Sequence, residues 1–201
     1  MARRGRVREE PRDVETDLGP PADPASVART IVLNKLTAQA RSRHELAEVL
    51  AAKNVPPEVA TAVLDRFEEV GLIDDKAFAT AWIESRQSTR GLARRALASE
   101  LRRKGLDEEL VRESVASIDT DHEVELARAM VQRKLRATRG LDPHKRMRRL
   151  AGLLARKGYP PDVCMSVVRD AVAADEQAYP RPRTHAPVES GELAESAELA
   201  D

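Results

Sequence analysis

LAEVLAAKNV, residues 46–55, recurs as LASELRRKGL at 97–106 and as LAGLLARKGY at 150–159. The three copies share two leucines four residues apart, a lysine three residues later, then Asn or Gly and an apolar residue. The second leucine of each copy lies 51 and then 53 residues after the previous one. Self-similarity at such a period is typical of stacked helical units, which present a long surface rather than a pocket. The repeat therefore predicts an all-α array of stacked units and favours an extended partner over a small-molecule substrate.

Residues that end a helix stand at the same position in each copy. Asn54, Gly105 and Gly158 follow the shared lysine, and Gly and Asn best adopt the left-handed conformation of a helix C-cap. Ser42 and Glu45 have the spacing of a capping box that starts the helix of the first copy. We therefore predict three three-helix repeats, which span residues 24–73, 74–119 and 120–175.

Apolar spacing gives the helices of each repeat and the extent of the two tails. The predicted helices include Ala25–Ala40, Arg43–Lys53, Pro57–Val70, Asp75–Gln87 (broken by Ser88 to Gly91) and Asp121 to about Thr138. Residues 1–23 and 176–201 combine many charges and prolines with few large apolar groups. Because such segments bury too little surface to offset their ordering entropy, we predict that both tails are disordered.

Composition narrows the class of protein. Of the 201 residues, 41% are hydrophobic, 34% are charged and 2% are aromatic, a mix that favours helices over sheets. Cys164 is the only cysteine, so no intramolecular disulfide can form, which fits a reducing compartment. No stretch approaches the roughly 20 apolar residues of a membrane span, and the basic start lacks the apolar region of a signal peptide. We expect a soluble, cytoplasmic protein.

Charge is distributed unevenly although the net charge is zero. From Arg86 to Lys104 there are seven basic residues against one acid, and from Arg128 to Lys157 there are eleven against one. From Asp175 to Asp201 seven carboxylates face two arginines. The second and third repeats therefore carry a positive field that the ends of the chain cancel in the sum.

No arrangement of titratable residues predicts catalysis. The histidines His44, His122, His144 and His185 are far apart in the sequence and show no pairing pattern. Cys164 lies between apolar neighbours in a helical pattern, and we interpret it as a packing thiol. The sequence contains no phosphate loop, dinucleotide fingerprint or zinc-ligand spacing. We therefore predict a non-enzymatic protein without catalytic residues, metal or cofactor.

The second repeat carries the most specific motif. It reads GLIDDKAFA at 71–79, followed by Ser85-Arg86, Gly91, Arg94 and ELRRKG at 100–105. This pattern closely resembles the RecX family of bacterial recombination regulators.

The resemblance to RecX covers about residues 25–175 and implies tandem three-helix repeats in a curved arrangement. It also implies a modulator of the RecA recombinase, since RecX proteins bind RecA, lie along the groove of its filament on single-stranded DNA, and suppress strand exchange, ATP hydrolysis and coprotease activity. Such a protein would modulate recombination, DNA repair and the SOS response. The chain departs from the commoner family pattern at Ala96, where a larger aliphatic residue often stands, and in its two tails.

Twelve basic residues of the second and third repeats are the candidate contacts to RecA and to DNA, because arginine can bind both phosphates and carboxylates through paired hydrogen bonds. They are Arg90, Arg94, Arg95, Arg102, Arg103, Lys104, Lys145, Arg146, Arg148, Arg149, Arg156 and Lys157. Not all of them can face one way, but two sets recur near helical spacing, whereas their neighbours point elsewhere. The sets are Arg95 with Arg102, and Lys145 with Arg149 and Arg156.

Four residues of the motif have a structural interpretation instead. Phe78 and Trp82 are spaced for one face of a helix, and we predict that they lie in the core. Asp74 and Asp75 precede the helix and are interpreted as its cap and the neighbour of that cap.

Other functions stay open at the level of sequence. A plain DNA-binding protein is one, since three-helix units with a basic helix resemble helix-turn-helix modules. Against it, the basic residues spread over two repeats, and aromatic platforms for single strands are scarce. A helical scaffold for some other protein is the second, and an enzyme is a distant third. A RecA regulator could lie in the filament groove, cap filament ends or meet free monomers. We expect a monomer, because the repeats cover each other's apolar faces, and weak direct DNA binding can coexist with filament binding.

Overall fold

The computed structural model of the chain describes residues 23–180, which form nine α-helices, one short 3-10 helix and no strand. The α-helices are α1 (Pro24–Ala38), α2 (Arg43–Ala51), α3 (Pro57–Glu69), α4 (Asp75–Arg90), α5 (Arg94–Arg103), α6 (Glu108–Ala116), α7 (Thr120–Leu135), α8 (Pro143–Ala155) and α9 (Pro161–Ala178). The 3-10 helix, Arg136–Thr138, directly follows α7. The predicted all-α class is confirmed. Residues 1–22 and 181–201, nearly all of the two tails for which we predicted disorder, lie outside the described residues, and α9 continues three residues past the predicted end of the third repeat.

The motif that recurs three times ends its helix in the same way each time, as the sequence predicted. Asn54, Gly105 and Gly158 have φ angles of 57°, 74° and 90°, in the left-handed region. The amide of the next residue donates to the carbonyl of the second motif leucine, at 3.1, 3.3 and 3.3 Å respectively. This is the bond that closes a Schellman C-cap. The capping box of Ser42 and Glu45 is also confirmed.

Helix α4 is longer than the sequence predicted. The hydroxyls of Ser88 and Thr89 donate to the carbonyl of Ser85, at 3.1 and 2.5 Å, from within the helix. Because these hydroxyls find partners on the preceding turn, they do not break the helix there. The helix ends instead at Arg90, and the next residue, Gly91, has a φ angle of 58°.

Residues 23–82 and 99–114 form one compact unit. Its core consists of buried aliphatic side chains and one phenylalanine from α1, α2, α3 and their loops: Ala28, Val32, Leu46, Leu50, Val55, Ala60, Val63, Leu64, Phe67 and Ile73. The motif leucines Leu46 and Leu50 are fully buried, so truncation of either to Ala is expected to cost about 2–5 kcal/mol.

Residues 83–98 and 115–180 form a second compact unit. Helices α7, α8 and α9 supply most of its core, in which Val131, Leu150, Leu154 and Val168 are almost completely buried. Cys164 is buried there too, as predicted, and burial raises the pKa of its thiol. Helices α4 and α5 contribute residues to both units.

Candidate partner-binding surface

In the first unit the motif lysine connects two repeats. The carbonyl of Lys104 accepts a hydrogen bond from Ser42 Oγ at 2.6 Å, and Lys104 Nζ donates to Glu45 Oε1 at 2.6 Å. The same ammonium lies 4.6 Å from the centroid of the Trp82 ring, which attracts a cation. Lys104, a predicted partner contact, is therefore engaged inside the protein.

The motif acids and aromatics also hold the fold together: Phe78 is buried as predicted, whereas Trp82 is only half-buried. Phe78 stacks on Trp82 with ring centroids 5.6 Å apart, and the Trp82 indole N–H donates to Glu100 at 2.9 Å. Asp74 accepts the amide of the third residue after it at 2.8 Å and so caps α4. Asp75 accepts the first amide of α2 at 2.9 Å.

Arg94 connects two repeats within the second unit. Its backbone N–H donates to Glu123 Oε1 at 2.7 Å. Its guanidinium donates to the carbonyl of Ile118 at 2.5 Å and to Thr120 Oγ1 at 2.7 Å. The guanidinium is thus occupied by three contacts at the start of α5 and α7, since Glu123 also pairs with it at 3.3 Å. Sequence reasoning selected Arg94 as a partner contact, but the structure gives it an internal role.

Arg146 does not reach the surface, which corrects its selection as a partner contact. Its side chain is 1% exposed and pairs with Asp175, and its Nε donates to Thr138 Oγ1 at 3.3 Å. Arg139 Nε contacts the same carboxylate at 3.0 Å. The hydrogen bonds from Arg139 and then Arg146 lower the pKa of Asp175 to about 2. A buried guanidinium needs such a partner, because an unpaired buried charge is strongly destabilising.

Arg102 and Arg103, two predicted partner contacts in the first unit, have acidic partners. Arg102 donates to both carboxylate oxygens of Glu108, at 2.7 and 2.6 Å. Arg103 is 71% exposed and lies 4.0 Å from Glu100. Exposed pairs of this kind contribute little stability, so both arginines can exchange their partners for an external carboxylate or phosphate.

Five exposed cations of the second unit form no ion pair with a carboxylate of the described residues. Lys145, Arg148 and Arg149 lie on α8, Arg156 follows its last residue, and Arg95 lies on α5. Among residues 23–180, no carboxylate forms an ion pair with any of these five. The positive charge that the sequence predicted for the third repeat is therefore uncompensated along α8.

One side of α8 borders a groove of about 780 Å³, closed by the starts of α5 and α9. We call it the α8 groove. Its floor is apolar and its edges are basic. The lining includes the apolar residues Met147, Ala151, Ala155 and Met165 and the basic residues Arg95, His144, Arg148 and Arg156. The described residues that line it include no carboxylate.

A second depression of about 450 Å³ lies between the end of α4, α7 and the end of α8. We call it the basic cleft, because four of its lining residues are cationic: Arg90, Arg133, Lys134 and Lys157. Ser88 and Thr89 also line it. Sequence reasoning missed Arg133 and Lys134, although both belong to the run of eleven basic residues that it counted. Only the packing of α7 against α4 and α8 shows that they join Arg90 and Lys157.

Comparison with known families decides the identity of the fold. Family models match all three repeats: the RecX first three-helix domain at residues 28–67, the second at 74–115 and the third at 121–168. The chain belongs to the RecX family.

Relatives named "Regulatory protein RecX" match the same region. The protein of Streptomyces coelicolor is 58% identical over 153 residues, which cover 76% of this chain and 81% of the relative. The protein of Thermobifida fusca is 46% identical over 164 residues, 81% of this chain and 89% of the relative.

The fold agrees with a solved RecX structure. The crystal structure of RecX from Lactobacillus salivarius superposes with a TM-score of 0.70 at 18% identity, covering 75% of this chain and 97% of that one. Within residues 23–180 of this RecX chain, no helix is long and apolar enough to cross a membrane. The same residues contain no cluster of three or more His, Cys, Asp or Glu that could hold a metal ion.

Proposed function

We propose that this RecX protein binds the RecA recombinase and its filament on single-stranded DNA and inhibits strand exchange, ATP hydrolysis and coprotease activity. It would act in the cytoplasm as a non-enzymatic monomer and so modulate homologous recombination, DNA repair and the SOS response. The observation that carries the proposal is the uncompensated positive charge along α8, in a chain whose relatives are named regulatory proteins.

The exposed guanidiniums suit such a partner for a chemical reason. Arg148, Arg149 and Arg156 can each bind a phosphate or a carboxylate through two parallel hydrogen bonds. A nucleoprotein filament offers both anions along its length, so several weak contacts to adjacent subunits would add up to firm binding. Arg95 and Lys145 would extend the contact within the second unit, the paired Arg102 and Arg103 are candidate contacts of the first unit by itself, and Arg94, Lys104 and Arg146 serve the fold.

The basic cleft supports a second candidate, direct binding to DNA. Arg90, Arg133, Lys134 and Lys157 lie around one depression that two hydroxyl groups also line, a combination that fits a phosphate backbone. Binding through this cleft would weaken steeply with salt, because each neutralised phosphate releases counterions.

The test is ATP hydrolysis by the cognate RecA filament on single-stranded DNA, titrated with this protein. The test variant is R148A/R149A/R156A. The matched control is R29A/R66A/R112A, which removes three exposed arginines that each have a carboxylate partner. We expect the test variant to need about tenfold more protein for half-inhibition, since three contacts of about 0.5 kcal/mol together match the roughly 1.4 kcal/mol of a tenfold change. The control should behave like the parent protein.

Two results would contradict the proposal. Equal weakening in both variants would show that net charge, rather than α8, matters. No inhibition by the parent protein, together with salt-sensitive binding to the naked strand, would favour the DNA-binding candidate. Inhibition at far less than one molecule per RecA subunit would indicate end capping rather than binding along the groove.

A further inference from the structure

The α8 groove has the character of an unfilled helix-packing site. Met147, Ala151 and Ala155 recur every four residues along α8, which places them on one face of the helix. Across the groove Met165 is 42% exposed. Arg95, Arg148 and Arg156 stand at the edges. An occupant must therefore offer apolar side chains to the floor and carboxylates to the edges.

One segment of the same chain has that composition. Residues 186–201, APVESGELAESAELAD, contain five carboxylates, no Lys or Arg, and the apolar residues Val188, Leu193 and Leu199. Residues 1–22 offer no such match, because their five arginines balance five acids. Charge complementarity thus selects 186–201 over the other segment outside the described structure.

The segment is long enough to reach the groove. Met165 lies thirteen residues before the last residue of α9, Ala178, a distance of about 20 Å along the helix. The thirteen residues from 181 to 193 can span up to about 45 Å when extended. The chain is therefore long enough for Leu193 to return from the far end of α9 to the floor of the groove. Because the segment is tethered to α9, its effective concentration at the groove is on the order of millimolar.

We propose that residues 186–201 occupy the α8 groove of their own chain, with Leu193 against Met147, Ala151 and Met165 and the glutamates facing Arg95, Arg148 and Arg156. The segment then covers cations that an external anionic partner would use, and it must leave before such a partner binds the groove. Its docking is intrinsic to this chain and goes beyond the proposed regulation of RecA, so its test needs neither RecA nor DNA.

The experiment uses the full chain with Cys164→Ala and a nitroxide attached at Ser196→Cys, read by paramagnetic broadening of backbone amide signals. We expect the amides of Ala151, Ala155 and Met165 to lose most of their intensity, while those of Arg133 and Lys134 in the basic cleft keep theirs. A nitroxide at Thr16→Cys in the charge-balanced segment is the matched control and should leave the groove signals intact.

Charge reversal makes the test specific. E192K/E195K/E198K, which changes nothing in the described fold, should abolish the broadening, and adding R95E/R148E/R156E should restore it. Absent broadening, broadening spread over all basic surfaces, or no recovery in the combined variant would overturn the proposal. Broadening of equal strength in a mixture of isotope-labelled and spin-labelled molecules would overturn it as well, because the occupant would then be a second copy.

Discussion

Replacement of Asp175 by Ala tests the internal role of Arg146. The Arg146 side chain is 1% exposed, and Asp175 is its closest acidic partner. The change leaves a buried guanidinium with only the more distant carboxylate of Glu176, 3.5 Å from Nη1. Loss of one partner of a buried pair costs about 3–5 kcal/mol, and the contact to Glu176 favours the lower end of that range.

The magnitude can be measured by thermal and urea unfolding. For a chain of this size about 1 kcal/mol corresponds to 2–4 °C, so a loss of about 3 kcal/mol should lower the melting temperature by about 6–12 °C. Glu176→Ala is the matched control on the same helix, since its carboxylate is 46% exposed, and it should cost less than about 0.5 kcal/mol. The double variant R146M/D175A should recover most of the lost stability, because it replaces the buried guanidinium, left without its carboxylate, by an apolar side chain.

The reasoning fails if D175A costs no more than Glu176→Ala. It also fails if R146M/D175A is less stable than D175A, because the guanidinium would then stabilise the protein without its partner. Either result would contradict the stabilising role assigned to the Arg146–Asp175 pair.

Three further predictions follow from the same geometry. Gly158→Ala should lower the free energy of unfolding, measured in urea, by more than about 1 kcal/mol, because φ is 90° and a Cβ would lie 2.6 Å from the backbone of α5. Gly140→Ala is the control and should be neutral, because a Cβ there would have no atom within 4 Å. Lys104→Ala should cost about 1–2 kcal/mol through its ion pair and ring contact, whereas Lys157→Ala should stay within about 0.5 kcal/mol but weaken binding to single-stranded DNA. The pKa of Asp175 is lowered to about 2 from an ordinary 3.8, so its stabilisation is complete above about pH 4 and is lost as pH falls toward 2. The difference in unfolding free energy between the parent protein and D175N should shrink over that window, and a constant difference would contradict the assigned ion pair.

Much of the fold could be predicted from the sequence because its signals are local. The caps at Asn54, Gly105 and Gly158 and the spacing of the motif leucines depend on residues a few positions apart. The charged contacts could not be assigned in the same way, since Arg94 and Lys104 meet partners that lie 29 and 59 residues away. Composition alone does not distinguish an exposed arginine from one that connects two repeats.

A usable signal did exist for Arg146. It stands four residues before Leu150 and eight before Leu154, which places it on the buried stripe of α8. Asp175 lies in register with the buried residues Val168 and Val172 of α9. An arginine and an aspartate that both fall on apolar stripes predict a buried ion pair, and reading the stripes strictly would have separated Arg146 from its exposed neighbours.

The two repeat junctions explain why the positive charge is concentrated in the second unit. In the first unit Glu45 neutralises Lys104. The counterpart of Lys104, 53 residues later, is Lys157, and the counterpart of Glu45, 51 residues later, is Ala96. The lysine carbonyl still accepts a hydrogen bond, since that of Lys157 accepts from the backbone N–H of Ala93 at 2.9 Å where that of Lys104 accepts from the Ser42 hydroxyl, but the carboxylate is gone. A Cβ at Gly158 would lie 2.8 Å from that of Ala96, so close packing at this junction leaves little room for a larger side chain. Ala96 therefore has two effects. Its small side chain lets the second and third repeats pack closely, and its lack of a carboxylate leaves Lys157 to line the basic cleft and offer its charge to a partner.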